Sequence, residues 1–137
     1  MNRYMILIGA LFIWSECFAA DWVEIGASSE ATMYLDRSSI RYDGQRIKAW
    51  EMLDFKTAFV VPGSYPQKFY RSNKQQHLID CREGKSALLQ YVSYDGQMGQ
   101  GSVVGSGQDP ARQPRLDDMV PDSIGESFLK SACSLKK

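Results

Sequence analysis

The chain has 137 residues, with sixteen Lys and Arg residues against sixteen Asp and Glu residues, so its formal net charge is zero. A dedicated nucleic-acid-binding protein carries a clear basic excess, and this balance therefore argues against a nucleic-acid partner. An apolar content of 44% with 12% aromatic residues excludes an acidic disordered chain, and a mean hydropathy of -0.33 excludes a polytopic membrane protein.

Residues 1–20 have the pattern of a secretory signal peptide. Arg3 gives a positive start, and the uncharged apolar run from Met5 to Trp14 is too short to span a membrane. Small residues before position 21 predict cleavage there. The mature chain is then one domain, residues 21–137, without a transmembrane segment. Lipidation of Cys17 is the alternative that the same stretch leaves open.

Two of the three cysteines, Cys81 and Cys133, remain after cleavage. Export places them in an oxidising compartment, where an even pair indicates a disulfide. The bridge would close a loop with 51 residues between the cysteines, and the chain-entropy model assigns roughly 4 kcal/mol of stability to such a loop. A free catalytic thiol is the competing interpretation, but neither cysteine lies in a recognisable nucleophile motif.

The mature chain contains six strand-like segments, which lie in chain order at 22–25, 32–35, 46–55, 69–81, 86–94 and 101–106. The pairs Asp43–Gly44 and Asp95–Gly96 are hairpin-turn signals, and they predict an antiparallel meander. In the third segment, alternate residues are predicted to form the more apolar face: Ile47, Ala49, Glu51, Leu53 and Phe55. Residues 36–40 are interpreted as a helical turn or tight corner, and residues 57–66 as a connection.

The last element differs, because its apolar residues recur with helical spacing. Ser123 and Glu126 form the capping-box pattern at its start. The apolar helix face is predicted to consist of Ile124, Phe128, Leu129, Ala132 and Cys133. We therefore predict an α+β fold in which a C-terminal α-helix packs on one face of a six-stranded antiparallel sheet and is held there by the disulfide.

Side chains for catalysis are few. His77 is the sole histidine, no nucleophile elbow accompanies it, and we interpret it as a solvated strand residue. Asp117, Asp118 and Asp122 could in principle do glycosidase-type work, but we interpret them as charges of a loop and helix entry. We accordingly expect no enzyme activity, metal site or cofactor.

The densest basic stretch runs from Lys68 to Lys74 and alternates basic with aromatic side chains. On a strand, Lys68 and Lys74 share one face with Tyr70 and Ser72, whereas Phe69 and Arg71 share the other. A local basic patch can bind an acidic partner although the whole chain is neutral. The competing interpretation is a solvated edge strand that its lysines protect from aggregation.

The ordered features resemble the surface-adhesin protein E family of Gram-negative bacteria. They are, in chain order, Trp22 and Ile25, Tyr34-Leu35-Asp36, Ser39-Ile40, Trp50, Arg71-Ser72-Asn73-Lys74, Asp80-Cys81, Tyr94, Pro121-Asp122-Ser123 and Cys133. The resemblance implies one antiparallel sheet with a C-terminal helix tied to it by a disulfide. It also implies that Lys68, Arg71 and Lys74 engage host extracellular-matrix ligands.

We therefore expect an exported binding module, located in the periplasm or at the outer-membrane surface, that contacts protein partners through this basic strand. The alternative function is a periplasmic structural or accessory protein that acts through sheet-edge contacts, with a homodimer as one form. Both hypotheses predict a protein partner and differ in the surface that it occupies.

Overall fold

The computed structural model describes residues 19–135 of the chain. The predicted signal peptide, apart from Ala19 and Ala20, and the lipidation alternative at Cys17 therefore lie outside the described residues.

The described residues form one antiparallel sheet and one α-helix. The elements are β1 (Trp22–Ala27), β2 (Ala31–Asp43), β3 (Arg46–Val60), β4 (Phe69–Asp80), β5 (Lys85–Tyr94), a 3-10 turn (Gln97–Gly99), β6 (Val103–Gln108), β7 (Asp117–Asp118) and α1 (Ile124–Leu135). Strands β1 to β6 lie side by side in chain order, and the two-residue β7 pairs with β5. The predicted six-stranded meander with a C-terminal helix is confirmed.

The first hairpin turn follows the prediction, because Asp43 pairs with Arg46 across a two-residue turn in which Gly44 adopts a φ of 63°. The second turn is longer than predicted. Residues 95–102 form a loop around the 3-10 turn, and the side chain of Asp95 accepts a hydrogen bond from the Ser102 N–H at 2.7 Å. The Asp-Gly signal therefore located this hairpin without giving the length of its loop.

Two of the predicted boundaries are wrong. β3 continues to Val60, so four of the ten residues of the predicted connection 57–66 are strand, and its register against β4 shifts between Asp54 and Phe59. β2 passes through the predicted corner as an irregular strand, with a register shift between Asp36 and Arg41. The Asp36 carboxylate accepts hydrogen bonds at this shift from Ser38 N–H and hydroxyl groups. These bonds explain why a bulge replaces a helical turn there.

The main core lies between the sheet and the helix. On the sheet side it contains Leu35, Ile47, Ala49 and Ile79, and on the helix side Phe128, Leu129 and Ala132. We call this side of the sheet the helix face, and we call the side that carries Trp50, Met52 and Lys74 the opposite face. The alternation that was predicted for β3 places Ile47, Ala49 and Glu51 on the helix face, as the structure confirms.

The helix is anchored at both ends. At its start the Ser123 hydroxyl accepts a hydrogen bond from the Glu126 N–H at 3.2 Å, and the Glu126 carboxylate accepts one from the Asp122 N–H at 2.9 Å. The first bond is that of the predicted capping box, whereas the second comes from one residue earlier than the standard pattern. Near its end, Cys133 forms the predicted disulfide with Cys81, with Cα atoms 5.7 Å apart.

Candidate binding surface

β4, which carries the predicted site residues, is an internal strand between β3 and β5. The interpretation of this segment as a solvated edge strand is therefore wrong. The polar side chains of β4 are accommodated within the sheet: Ser72 is fully buried, and its hydroxyl donates to the Gly96 carbonyl at 2.6 Å and accepts from the Gly99 N–H at 2.8 Å. The loop after β5 thus covers part of the opposite face.

Lys74 lies on the opposite face and is only partly exposed. Its ammonium nitrogen is 5.6 Å from the ring centroid of Trp22 and 5.3 Å from that of Tyr94. Both distances are within the range of cation–π attraction. The side chain also runs against the backbone of Gly99, where a Cβ would collide with Lys74. Lys74 is therefore a packed cation that joins β1, β4 and the loop after β5.

Two carboxylates, Glu24 and Asp54, act on the Tyr34 phenol. Burial raises the pKa of the Tyr34 phenol, and the negative charges of Glu24 and Asp54 raise it further. Asp54 also accepts a hydrogen bond from the Met98 N–H at 2.7 Å.

Arg71 and Lys68 are placed differently, because both are exposed near the end of the β3–β4 hairpin. Arg71 lies on the other side of β4 from Lys74, and its guanidinium makes one long hydrogen bond of 3.5 Å to the Lys56 carbonyl. Among residues 19–135, no carboxylate lies within ion-pair distance of Lys68 or Arg71. The three predicted site residues therefore do not form one patch: two are exposed cations, and the third is packed.

The end of this hairpin projects past its neighbours. β2 pairs with β3 only as far as Phe55, and β5 pairs with β4 only as far as Ser72. We call the projecting residues 56–71 the basic arm. The longer stretch 55–79 has four Lys and Arg residues and no acid, whereas all sixteen acidic residues and twelve of the sixteen basic ones lie outside it. The neutral chain therefore has a strongly segregated charge.

The basic arm also carries aromatic and apolar side chains. Phe59 and Tyr70 pack with Phe55, with ring centroids 4.9 to 5.9 Å apart. Val60 and Phe69 pair across the two strands, and Tyr65 lies at the tip beside a cis proline. Sequence analysis assigned most of this region to a connection. The absence of acids from position 55 to 79 is the signal that could have identified it.

His77 lies on the helix face and is not the solvated strand residue that the sequence indicated. Its side chain is 14% exposed, and its ring centroid lies 5.0 Å from that of Phe128. Its Nε2 atom is 3.3 Å from a carboxylate oxygen of Glu51, whose side chain is 4% exposed. Neither the second Glu51 oxygen nor the His77 Nε2 atom has a hydrogen-bond partner of good geometry among the described residues. This buried pair beneath the helix was not predicted.

The predicted loop acids are divided between a short strand and the start of the helix. Asp117 and Asp118 form β7, and Asp122 precedes the helix with a positive φ. Across residues 19–135, no three His, Cys, Asp or Glu side chains are placed to hold a metal ion together. Nor does that part of the chain contain a helix long and apolar enough to cross a membrane.

Sequence comparison decides the family. A family model described as surface-adhesin protein E matches residues 22–134. The chain belongs to the surface-adhesin protein E family. Membership of this family of adhesins points to an exported, non-enzymatic protein.

The fold agrees with that family. A crystal form of Haemophilus influenzae protein E superposes with a TM-score of 0.56 at 17% identity, covering 82% of this chain and 96% of that one. A structure of protein E from non-typeable Haemophilus influenzae gives a TM-score of 0.53 at 18% identity, covering 85% and 86%. No curated protein sequence matches the chain. At these identities the structural likeness establishes the fold of this family member.

Proposed function

We propose that the mature chain, beginning near Asp21, is an exported binding module that engages an acidic protein partner through the exposed cations Lys68 and Arg71, with the packed Lys74 supporting the strand that carries them. Host extracellular-matrix proteins are the partners that the adhesin family suggests first. The protein would meet them from the outer-membrane surface, with the periplasm as the other compartment that export allows.

The observation that carries this proposal is the unpaired charge of the basic arm. Lys68 and Arg71 are exposed, have no carboxylate partner among the described residues, and lie in a stretch without acids. An exposed patch of one sign steers a partner of the opposite sign and speeds association. The charge of Lys74 lies against the rings of Trp22 and Tyr94. Lys74 therefore contributes by holding β4 in position rather than by contacting the partner.

The proposal is tested by binding to an immobilised extract of basement membrane. The double variant Lys68→Glu with Arg71→Glu is expected to weaken binding at least tenfold, and wild-type binding is expected to weaken as salt is raised. The matched control is Arg82→Glu with Arg112→Glu, because these two cations are also exposed and the net charge changes equally. The control should bind as the wild type does.

Two results would contradict the proposal. One is that the arm variant binds as tightly as the wild type. The other is that the control variant loses as much affinity, because binding would then depend on net charge rather than on the arm. Circular dichroism of both variants shows whether the fold is retained.

A second function, an accessory protein acting through its sheet edge, is supported by β6. This strand lies at the end of the sheet order and contains neither a charged residue nor a proline. Such edges are open to pairing with another strand. If β6 acts in this way, the protein is expected to associate through this edge at high salt, and the variant Ser106→Pro is expected not to associate. Dissociation of the protein at high salt concentration would exclude this function.

A further inference from the structure

The basic arm has an apolar surface beside its charges. Val60 and Phe69 are cross-strand partners that remain 44% and 46% exposed, and Tyr65 at the tip is 100% exposed. Single exposed apolar residues are ordinary on a protein surface. Here two of them lie directly opposite each other, where side chains of paired strands touch. The arm thus offers a continuous apolar contact.

This surface is held in a fixed shape by the other side of the arm. Phe59 and Tyr70, the strand neighbours of Val60 and Phe69, turn to that side. Each packs edge to face with Phe55, and the two rings are tilted against each other. The tip is fixed as well, since the Ser64 hydroxyl accepts from the Lys68 N–H at 2.9 Å. A partner would therefore meet a surface that needs little ordering on binding.

The spacing between the apolar side chains of the arm and Arg71 determines which partner segment can bind there. Phe69 and Arg71 lie on one side of β4, two residues apart, which corresponds to about 6.7 Å along a strand. The Arg71 guanidinium has no carboxylate partner among residues 19–135 and can pair with one in a bidentate manner. An extended partner segment has the same two-residue period, so its apolar and acidic side chains should also lie two positions apart.

We infer that the arm recognises an extended acidic segment in which an apolar side chain packs on Val60 and Phe69 while a carboxylate two positions away pairs with Arg71. This inference rests on the proposed function and specifies the partner's chemistry. Lys68, on the other side of the strand, adds attraction at longer range. The charge of Arg71 favours an acidic segment, and the exposed Val60 and Phe69 beside it favour one with regularly spaced apolar side chains over a polyanion without them.

The test compares two fluorescent twelve-residue peptides by anisotropy with the mature protein. One repeats the unit Leu-Ser-Glu-Ser, and the other has serine in place of each leucine. The wild type is expected to bind the first about tenfold more tightly, because one leucine is buried on the arm. The variant Val60→Ser with Phe69→Ser should lose this preference, whereas the control Val103→Ser with Val120→Ser, two valines exposed elsewhere, should keep it.

Equal binding of the two peptides by the wild type would overturn the inference and leave the proposed function standing, since charge alone would then suffice. Retention of the preference in the Val60 and Phe69 variant would overturn it as well. If vesicles of phosphatidylglycerol bind the arm more tightly than the leucine peptide, the partner is a lipid surface and the inference fails. The proposed function fails separately, when charge reversal at Lys68 and Arg71 has no effect on binding to matrix extract.

Discussion

Lys74 and Lys68 have the same charge, but their surroundings give them different roles. Lys74 lies between the rings of Trp22 and Tyr94, whereas Lys68 is exposed and makes no ion pair within residues 19–135. The sequence could place both lysines near each other on one strand. It could not show the rings, because Trp22 and Tyr94 are 52 and 20 residues away from Lys74 in the chain.

We predict that Lys74→Ala lowers the free energy of unfolding by about 1 kcal/mol, through the loss of its ring contacts. Lys68→Ala is the matched control and should change it by less than about 0.5 kcal/mol, as for other exposed substitutions. Urea denaturation followed by tryptophan fluorescence measures both values. Equal effects of the two substitutions would show that the ring contacts add no stability.

Glu51 and His77 form a buried polar pair beside the apolar core between the sheet and the helix. Removing one member leaves the other polar group buried without its neighbour, which typically costs about 1–3 kcal/mol, whereas replacing both by apolar groups can be nearly neutral. We therefore predict that His77→Leu is strongly destabilising and that Glu51→Leu with His77→Leu recovers stability to within about 1 kcal/mol of the wild type. Chemical denaturation of the single and double variants checks this. A double variant less stable than His77→Leu would contradict the account.

At the scale of elements, the strand order, the helix and its disulfide could be predicted from the sequence. The Asp43–Gly44 turn, the alternation of β3 and the spacing of apolar residues after Ser123 are local signals, and each led to the right element. The predicted end of β3 and the predicted length of the loop after β5 were wrong. Both depend on contacts that are distant in sequence: the register shift of β3 against β4, and the hydrogen bonds between Ser72 and the loop at Gly96 and Gly99.

The turn that joins β4 to β5 has a pH dependence that can be predicted. Hydrogen bonding from the Glu83 N–H is the main reason that the pKa of the Asp80 carboxyl is lowered, and the Arg82 N–H and the nearby Arg46 guanidinium lower it further. Because the folded-state pKa lies below the ordinary value of 3.8, the ionised group stabilises the fold above that pH. This stabilisation is lost as the pH falls through the folded-state pKa.

We therefore predict that Asp80→Asn lowers the free energy of unfolding at pH 7 and that the difference from the wild type shrinks on acidification below pH 3.8. Thermal unfolding at a series of pH values measures the difference. Asp118→Asn is a suitable control, since that carboxylate is exposed. A difference between Asp80→Asn and the wild type that stays constant with pH would contradict the assignment.

For the whole molecule, the zero net charge conceals a separation of charge. The stretch 55–79 is basic and free of acids, and the remainder of the chain carries the balancing negative charge. Such an arrangement orients the molecule in the electric field of a negatively charged partner, so that the basic arm faces the partner. The arm also extends beyond the residues that pair with β2 and β5, and its cations Lys68 and Arg71 are exposed. The basic segment could be predicted from the sequence, but its projection depends on the register of the strands.

The most direct test of this account is a titration of isotope-labelled mature protein with polyglutamate, followed by the amide NMR signals of every residue. The account predicts that the largest shifts fall within residues 60–71 and that they reverse as salt is added. Shifts concentrated on β6 or on the helix, with the signals of the basic arm unchanged, would contradict it.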